Sequence, residues 1–391
     1  MTSAANTLTN LIPDLYAALD VVSRELVGFI PSVTIDPQTS RAAIGQTVYS
    51  HVAPAATAGD IAPDVTPPDD GQQTIGNVSL AITKARRVPI RWQGEESLQM
   101  NNGGPGVKNI IRDQFAQAMR TLVNEIELDL GNLYKYGSRA AVPNDTTLFK
   151  TNLADAANVR KILADNGAPL SDLQLVIGTT EGAALRTLTQ LSKANEAGGD
   201  SLLRQGVLLD IYGMAIRESA QVQTPAVGTE ENGTLDSTDY AVGATSLKLA
   251  SAGTGTILAG DLMTIANTGD TTTQYVVLTG DSDISDGGTI VIAAPGLLKA
   301  ITTDSLAVAI RPSGSRCMAF ARSAIVLATR MPALPAEGDM ASDRTTITDP
   351  RSGLSFEVAV YKQYRQVQFE VSIAWGCKAV KPEHIAILAG A

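Results

Sequence analysis

Leu262-Met-Thr-Ile-Ala-Asn-Thr-Gly-Asp-Thr-Thr-Thr-Gln-Tyr-Val-Val-Leu278 sets two short apolar runs on either side of a turn-forming polar stretch, which is how a small antiparallel β unit is written. The pattern continues outward. Ser246-Leu-Lys-Leu249, Thr289-Ile-Val-Ile292 and Leu306-Ala-Val-Ala-Ile310 are spaced by Gly, Ser, Thr, Asn and Asp, so the block from Ala226 to Ile310 reads as a small all-β module. Its charge is also unlike that of its flanks. Lys248 and Lys299 face ten acids (Glu230, Glu231, Asp236, Asp239, Asp261, Asp270, Asp281, Asp283, Asp286 and Asp304), so the block carries eight of the chain's ten net negative charges. It interrupts a chain that otherwise mixes helices and strands, giving an α+β class with an inserted β domain.

The 391 residues and 40.8 kDa allow two or three domains around sizeable cores. Aromatic residues make up 4% of the chain, so Ala, Val, Leu and Ile must fill those cores. A pI near 4.8 argues against a surface that grips nucleic acid through its phosphates. No apolar run approaches the roughly 18 residues of a membrane helix, and no Lys or Arg precedes Arg24, so the chain is expected to be made in a cytoplasm and to stay soluble. Cys317 and Cys377 are too few for a disulfide framework and read as buried free thiols. The sequons at Asn77, Asn144 and Asn232 are taken as chance matches.

Leu11, Leu15, Leu19, Val22, Leu26 and Phe29 predict an amphipathic helix ended by Pro31. Val48 to Trp92 reads as extended chain, broken by a Pro-, Gly- and Asp-rich loop from Ala53 to Gln73 that is long enough to exist for contact. Ile111, Phe115, Met119, Leu122, Ile126, Leu130 and Leu133 keep one apolar stripe, which predicts a helix from Val107 to about Tyr136 lying on a sheet. Further on, the patterns predict a helix at 153–165, a strand at Leu173 to Ile177 and a helix from Thr180 to Leu191. A strand pair over Gly206 to Glu218 turns at Gly213, and Arg316 to Thr329 resumes the interrupted domain after the block. Ser355 to Lys362, Gln366 to Ala374 and Ile385 to Leu388 read as strands.

Chemistry-bearing constellations are sparse. His51 and His384 are the two imidazoles, neither beside a nucleophile motif, and the common hydrolase, zinc-protease and nucleotide-binding signatures are absent. No catalytic, cofactor-binding or metal-ligating residue is assigned, and the chain is read as a non-enzyme without cofactors. Asp281-Ser-Asp-Ile-Ser-Asp-Gly287 superficially follows a calcium loop, but Asp286 stands where such a loop needs Gly and Ile292 where it needs a bidentate Glu. An acidic turn is the preferred reading. Lys84-Ala-Arg-Arg87 is the one tight basic cluster, placed between two strands and expected to pair with acidic neighbours.

The order of these pieces resembles the major coat proteins of tailed bacteriophages with the HK97 fold, specifically the P22-like group. The resemblance rests on the N-terminal helix, the loop between Val52 and Ile75, the helix carrying Asn124-Glu-Ile-Glu-Leu128, and the Leu203 to Ile216 stretch. It also rests on the β-rich insertion, Ile373-Ala-Trp-Gly376 and Lys381-Pro-Glu-His-Ile385. It implies an N-terminal arm (1–35), an extended loop with flanking strands (36–105) and a peripheral domain with the spine helix (106–200). It further implies an axial domain in two parts (201–225 and 311–345), an inserted β-barrel (226–310) and C-terminal strands (346–391) returning to the core. As implied partners it brings further copies of the chain as hexamers and pentamers of an icosahedral shell, a scaffolding protein and a portal protein. The shell would enclose double-stranded DNA without sequence-specific binding and be located in the virion. The alternative reading is another virion component, a tail or decoration protein with an exposed β domain.

Overall fold

The computed structural model describes residues 27–36, 38, 40–52, 58, 60, 61, 63, 65, 76–103, 107–143, 147–192, 210–303, 305–348 and 354–390. The predicted helix over Leu11–Leu26, most of the loop at 53–75 and the first part of the Leu203–Ile216 stretch lie outside them.

In chain order, a 3-10 turn at Ile30–Ser32 precedes Thr34–Ile35 (β1). Thr47–Val52 (β2) and Gly76–Ala81 (β3) pair as a two-stranded unit, and Lys84–Gln93 (β4) leads into the helix Gly94–Gly103 (α1). Val107–Gly131 (α2) is the spine, and a 3-10 turn at Asn132–Tyr136 carries it into Arg139–Ala141 (β5). Ala154–Asp165 (α3), Leu173–Ile177 (β6), Thr179–Thr187 (α4), Thr189–Ser192 (α5) and Met214–Glu218 (β7) follow. The acidic block supplies Ser246–Lys248 (β8), Leu262–Ile265 (β9), Gln274–Thr279 (β10), Thr289–Ile292 (β11) and Val308–Ile310 (β12). The remainder comprises Arg316–Ala321 (β13), Ile325–Arg330 (β14), Asp343–Thr348 (β15), Ser355–Gln363 (β16), Gln366–Ala379 (β17) and Ile385–Ala389 (β18).

Two sheets organise the body. One runs β1-β14-β17-β16-β15, with β4 along the other side of β17. Its inner face packs on α2 through Phe115, Met119, Leu122 and Ile126, all essentially inaccessible to solvent, and Phe115 meets Phe369 edge-on at 5.6 Å. The other sheet runs β12-β9-β10-β5-β18-β13-β6-β7, and its central strands β6, β13 and β18 are buried along their whole length. A strand with partners on both edges and cover on both faces reads as a continuous apolar run, which is what Ile385-Ala-Ile-Leu-Ala389 is.

Short 3-10 turns carry the chain between the layers. Arg322–Ala324 turns it from β13 in one sheet to β14 in the other, and Pro382–His384 does the same from β17 to β18. The two corners are tied together, since the amides of Val380 and Lys381 both donate to the Ala324 carbonyl. The segment 311–345 therefore supplies strands to both sheets, whereas 106–200 packs α2 on one sheet and supplies β5 and β6 to the other.

The acidic block has an apolar cluster of its own, drawn from residues between Leu235 and Val308. Its hydrogen bonds run in a circuit: β12 pairs β9, β9 pairs β10, β10 pairs β11 and β11 pairs β8. The stretch at 233–236 then closes the ring, with Asp236 N–H on the Lys248 carbonyl and Leu235 N–H on that of Leu306. Closure leaves fewer open strand edges. The ring is joined to the body where Gln274 and Tyr275 of β10 pair with Ala140 and Arg139 of β5.

Several expectations are corrected. The spine is α-helical to Gly131 and 3-10 from Asn132 to Tyr136, the tighter turn leading into β5, and a Cβ at Gly131 would sit 2.6 Å from the Gln221 carbonyl oxygen. Pro31 lies inside a 3-10 turn rather than at a helix end. The helix expected over Thr180–Leu191 breaks at Leu188, whose ψ of 126° is extended. Of the strand pair expected over Gly206–Glu218, the described part is β7 with a tight turn at Tyr212-Gly213, where φ is 52° and 73°. Cys377 is part-buried rather than buried.

Candidate assembly surfaces

The spine is fastened to the sheet by polar contacts along one flank. Trp92 Nε1 donates to Gln114 Oε1 at 2.8 Å and Trp375 Nε1 to Asp129 Oδ2 at 2.8 Å. Lys84 Nζ lies 2.7 Å from Asp129 Oδ1, and Arg86 Nε 3.1 Å from Glu125 Oε1. Glu125 and Asp129 are one helical turn apart, so β4 and β17 grip the same stripe of the helix. Lys84-Ala-Arg-Arg87 therefore does pair with acids, Arg87 reaching Glu370 at 2.7 Å. Its place is corrected: the cluster opens β4 itself, where strand alternation sends Arg86 to the helix side and Arg87 to the opposite face.

That opposite face is polar and charged. Glu357, 3% exposed, receives both terminal nitrogens of Arg41 at 2.7 and 3.1 Å, a bidentate pair. Arg344 Nε comes within 2.6 Å of Glu357 Oε1 but out of line with its N–H, so this contact is ionic rather than a hydrogen bond. Asp339 accepts from Arg344 and, at 3.0 Å, from the Tyr361 hydroxyl. With the Pro332–Pro335 stretch, Asp339, Arg344, Glu357 and Tyr361 line a groove along the sheet. Met340 and Tyr364 stand 87% and 89% exposed.

The β2–β3 pair leans on β17 through a close backbone approach: a Cβ at Gly376 would lie 2.0 Å from the Ala81 carbonyl oxygen. Ile82 and Leu80 complete a small apolar cluster there with Ala42, Ala328 and Ala374. The described loop residues Ile61 and Val65 are 100% and 99% exposed.

In the acidic block, Asp281 to Gly287 forms a turn between β10 and β11. Asp281 Oδ1 accepts from the Asp283 amide at 3.0 Å, and Asp283 Oδ1 accepts from the amide and hydroxyl of Ser285 at 3.1 and 2.6 Å. The Ser285 hydrogen bonds hold the Asp283 carboxyl below the usual carboxylate range. These oxygens close a turn, and among the described residues no group of three or more His, Cys, Asp or Glu could hold a metal ion. Exchanging Asp281, Asp283 and Asp286 together for asparagine keeps an acceptor at the two capping positions, 281 and 283. Unfolding of the subunit is therefore expected to change by less than about 1 kcal/mol, read by chemical denaturation, while contacts between particles or subunits through this face change.

The two histidines are far apart in role. His51 is in β2 opposite Asn77, and His384 sits in the corner turn at 382–384, where burial first and Lys381 second lower its pKa. Burial pushes both thiols up, Cys377 to about 12, so neither is an activated nucleophile at neutral pH. Among the described residues no helix is long and apolar enough to cross a membrane. Sequence reasoning missed α1, β15 and the burial of Glu127 on the spine.

No protein-family model matches this chain, and no curated protein does. Solved structures similar to it include a chain from Mycobacterium phage Che8, 12% identical over 88% of this chain and 84% of that one, with a TM-score of 0.46. The capsid of the cyanophage P-SCSP1u is 10% identical over 92% and 86%, with a TM-score of 0.46. The virus-like particle from Pyrococcus furiosus is 12% identical over 97% and 100%, with a TM-score of 0.43.

Proposed function

We propose that this chain is the coat subunit of a tailed-phage head with an HK97-like fold, many copies of which close into an icosahedral shell around double-stranded DNA. The observation that carries the proposal is the 25-residue spine fastened along one face of a sheet whose other face is ionic. A thin, two-sided slab of this kind tiles a wall. Closed shells need heterologous contacts, and elements that reach beyond the slab, here the β2–β3 unit with its exposed loop residues, supply them.

In this reading the peripheral domain is α2 with the β1-β14-β17-β16-β15 sheet and β4. The axial domain is β5, β6, β7, β13 and β18 with α3 to α5, so its boundaries run through the corners at 322–324 and 382–384. The block at 226–310 is the inserted β-barrel of the P22-like group, residues 1–35 form the arm, and the loop between β2 and β3 is the extended loop. A scaffolding protein directs assembly and a portal occupies one vertex. A nearly neutral body with an acidic insertion lets packaged DNA slide, since a basic lining would hold phosphates by counterion release.

The function is tested by expressing the chain with and without a scaffolding protein and separating the products by rate-zonal sedimentation. Closed particles or aberrant shells made of this subunit are expected; a product that stays monomeric under both conditions contradicts the proposal.

A further inference from the structure

The return from the acidic ring to the body passes through two arginines, Arg311 and Arg316, at the two ends of one short turn. The turn is pinned on both sides. The Arg311 amide donates to the Leu262 carbonyl of β9 at 2.8 Å, Ser313 Oγ to the Pro225 carbonyl at 2.6 Å, and the Arg316 amide to the Gln223 carbonyl at 2.8 Å. Arg311 is thus still held by the ring, whereas Arg316 opens β13 in the body. Arg316 is fully buried, and of its guanidinium nitrogens only Nη1 has a partner, the Gly314 carbonyl at 3.2 Å; Nε and Nη2 have none. Arg311 is part-exposed, yet its Nε is also buried without a partner, and its Nη2 reaches the Gly390 carbonyl only at a long 3.4 Å.

Nε and Nη2 form one edge of the planar guanidinium, the fork that takes an anion through two parallel N–H bonds. On Arg316 that whole edge is unsatisfied. A guanidinium stays protonated however deeply it is buried, so it cannot escape the cost of burial by shedding its charge and needs a negative partner instead. The carboxylate within electrostatic reach of Arg316 is Asp261, itself 2% exposed. Its Oδ2 is committed to the amides of Leu258 and Gly228 at 2.7 and 3.0 Å. Among the described residues neither arginine has a carboxylate within ion-pair distance. Arg311 and Arg316 against Asp261 leave one positive charge in excess at the base of the ring.

We propose that Arg316 and Arg311 hold a small monovalent anion of the halide class, which fastens the acidic ring to the body. The size of the ligand follows from burial: the Arg316 fork is closed to a carboxylate side chain of another subunit and to the phosphates of a nucleic acid, so its acceptor must enter alone. The charge follows from the excess, which a single negative charge balances and a phosphate dianion would overshoot. The anion accepts from Nε and Nη2 of Arg316 and from Nε of Arg311. It thereby links the residue still pinned to β9 with the first residue of β13, across the turn by which the chain leaves the ring.

The test is urea unfolding of the purified full chain at constant ionic strength, with chloride replaced stepwise by gluconate, which is too large to enter. In wild type the unfolding midpoint should rise with the logarithm of chloride concentration once chloride exceeds its dissociation constant, as linkage to a ligand of the folded state requires. General salt effects act on wild type and variant alike, so R311Q, at the part-exposed position, isolates the site. Its chloride-dependent shift should be lost, and a shift equal to that of wild type would overturn the proposal. Should R311Q not fold, diffraction from wild-type crystals soaked in sodium bromide decides. An anomalous peak within hydrogen-bond reach of Arg316 Nε and Nη2 supports the site, and a water or no density there contradicts it.

Discussion

Replacing Trp375 by alanine is expected to lower the unfolding free energy of the subunit by about 3–5 kcal/mol, the range for emptying a buried aromatic site. Trp375 is among the largest fully buried side chains. It sits in β17 where that strand pairs with β4 on one side and β14 on the other, and its indole N–H anchors Asp129 of the spine. Lys84 lies 5.9 Å from the centre of the same ring and bonds the same carboxylate. Alanine therefore leaves a cavity at the crossing of three strands and a helix and removes one of the two donors of Asp129. Urea unfolding of Trp375→Ala and Trp375→Phe separates the contributions. Phenylalanine should recover only about 1.5–2 kcal/mol of the loss, because it refills much of the volume but still forfeits the hydrogen bond, worth about 1.5–3 kcal/mol to a charged acceptor. Equal losses in the two variants would place the whole effect in that bond.

The second large effect is expected at the adjacent residue. A methyl group at Gly376 would lie 2.0 Å from the Ala81 carbonyl oxygen, and backbone cannot swing aside as a long side chain can. Gly376→Ala must push the end of β3 off β17 and open the Leu80, Ile82 and Ala374 cluster, a cost of about 1–3 kcal/mol for overpacking a fitted site. The β-sheet, the spine and the acidic ring make no use of this contact and should remain intact. The subunit is therefore expected to fold at lower stability, and to assemble poorly because the β2–β3 unit is displaced. Circular dichroism with sedimentation of assembly products checks both parts; normal particles from a subunit of unchanged stability would show that the approach is looser than described.

How much of this was legible in the sequence depended on how burial is patterned. The spine was readable because only one face of α2 is covered, which leaves a 3.6-residue stripe in the sequence. β18 was readable as an unbroken apolar run and β6 as one interrupted only by Gln174. β15, Asp-Arg-Thr-Thr-Ile-Thr, was not, because on the outer edge of its sheet Ile347 alone is buried and no alternation shows. α1 was missed because Gly94-Glu-Glu-Ser-Leu-Gln-Met-Asn-Asn-Gly103 has little apolar periodicity and its Leu98 stays 63% exposed. The assembly surfaces divide in the same way. Lys84, Arg86 and Arg87 were expected to find acids, but which acids they find depends on the pairing register of β4 with β17. Glu127 was unreadable as a buried group, since its partners are amides almost a hundred residues away, and backbone donors carry no sequence signature.

The account rests on the subunit being a tile in a closed shell. Cryo-electron microscopy of particles assembled from this chain tests that directly. The expected map shows an icosahedral shell, with α2 and the β17 sheet lying flat in its wall, the 226–310 ring standing off the slab, and the β2–β3 unit reaching a neighbouring subunit. Particles that are tubes or open fibres, or a shell in which the spine stands perpendicular to the wall, would contradict it.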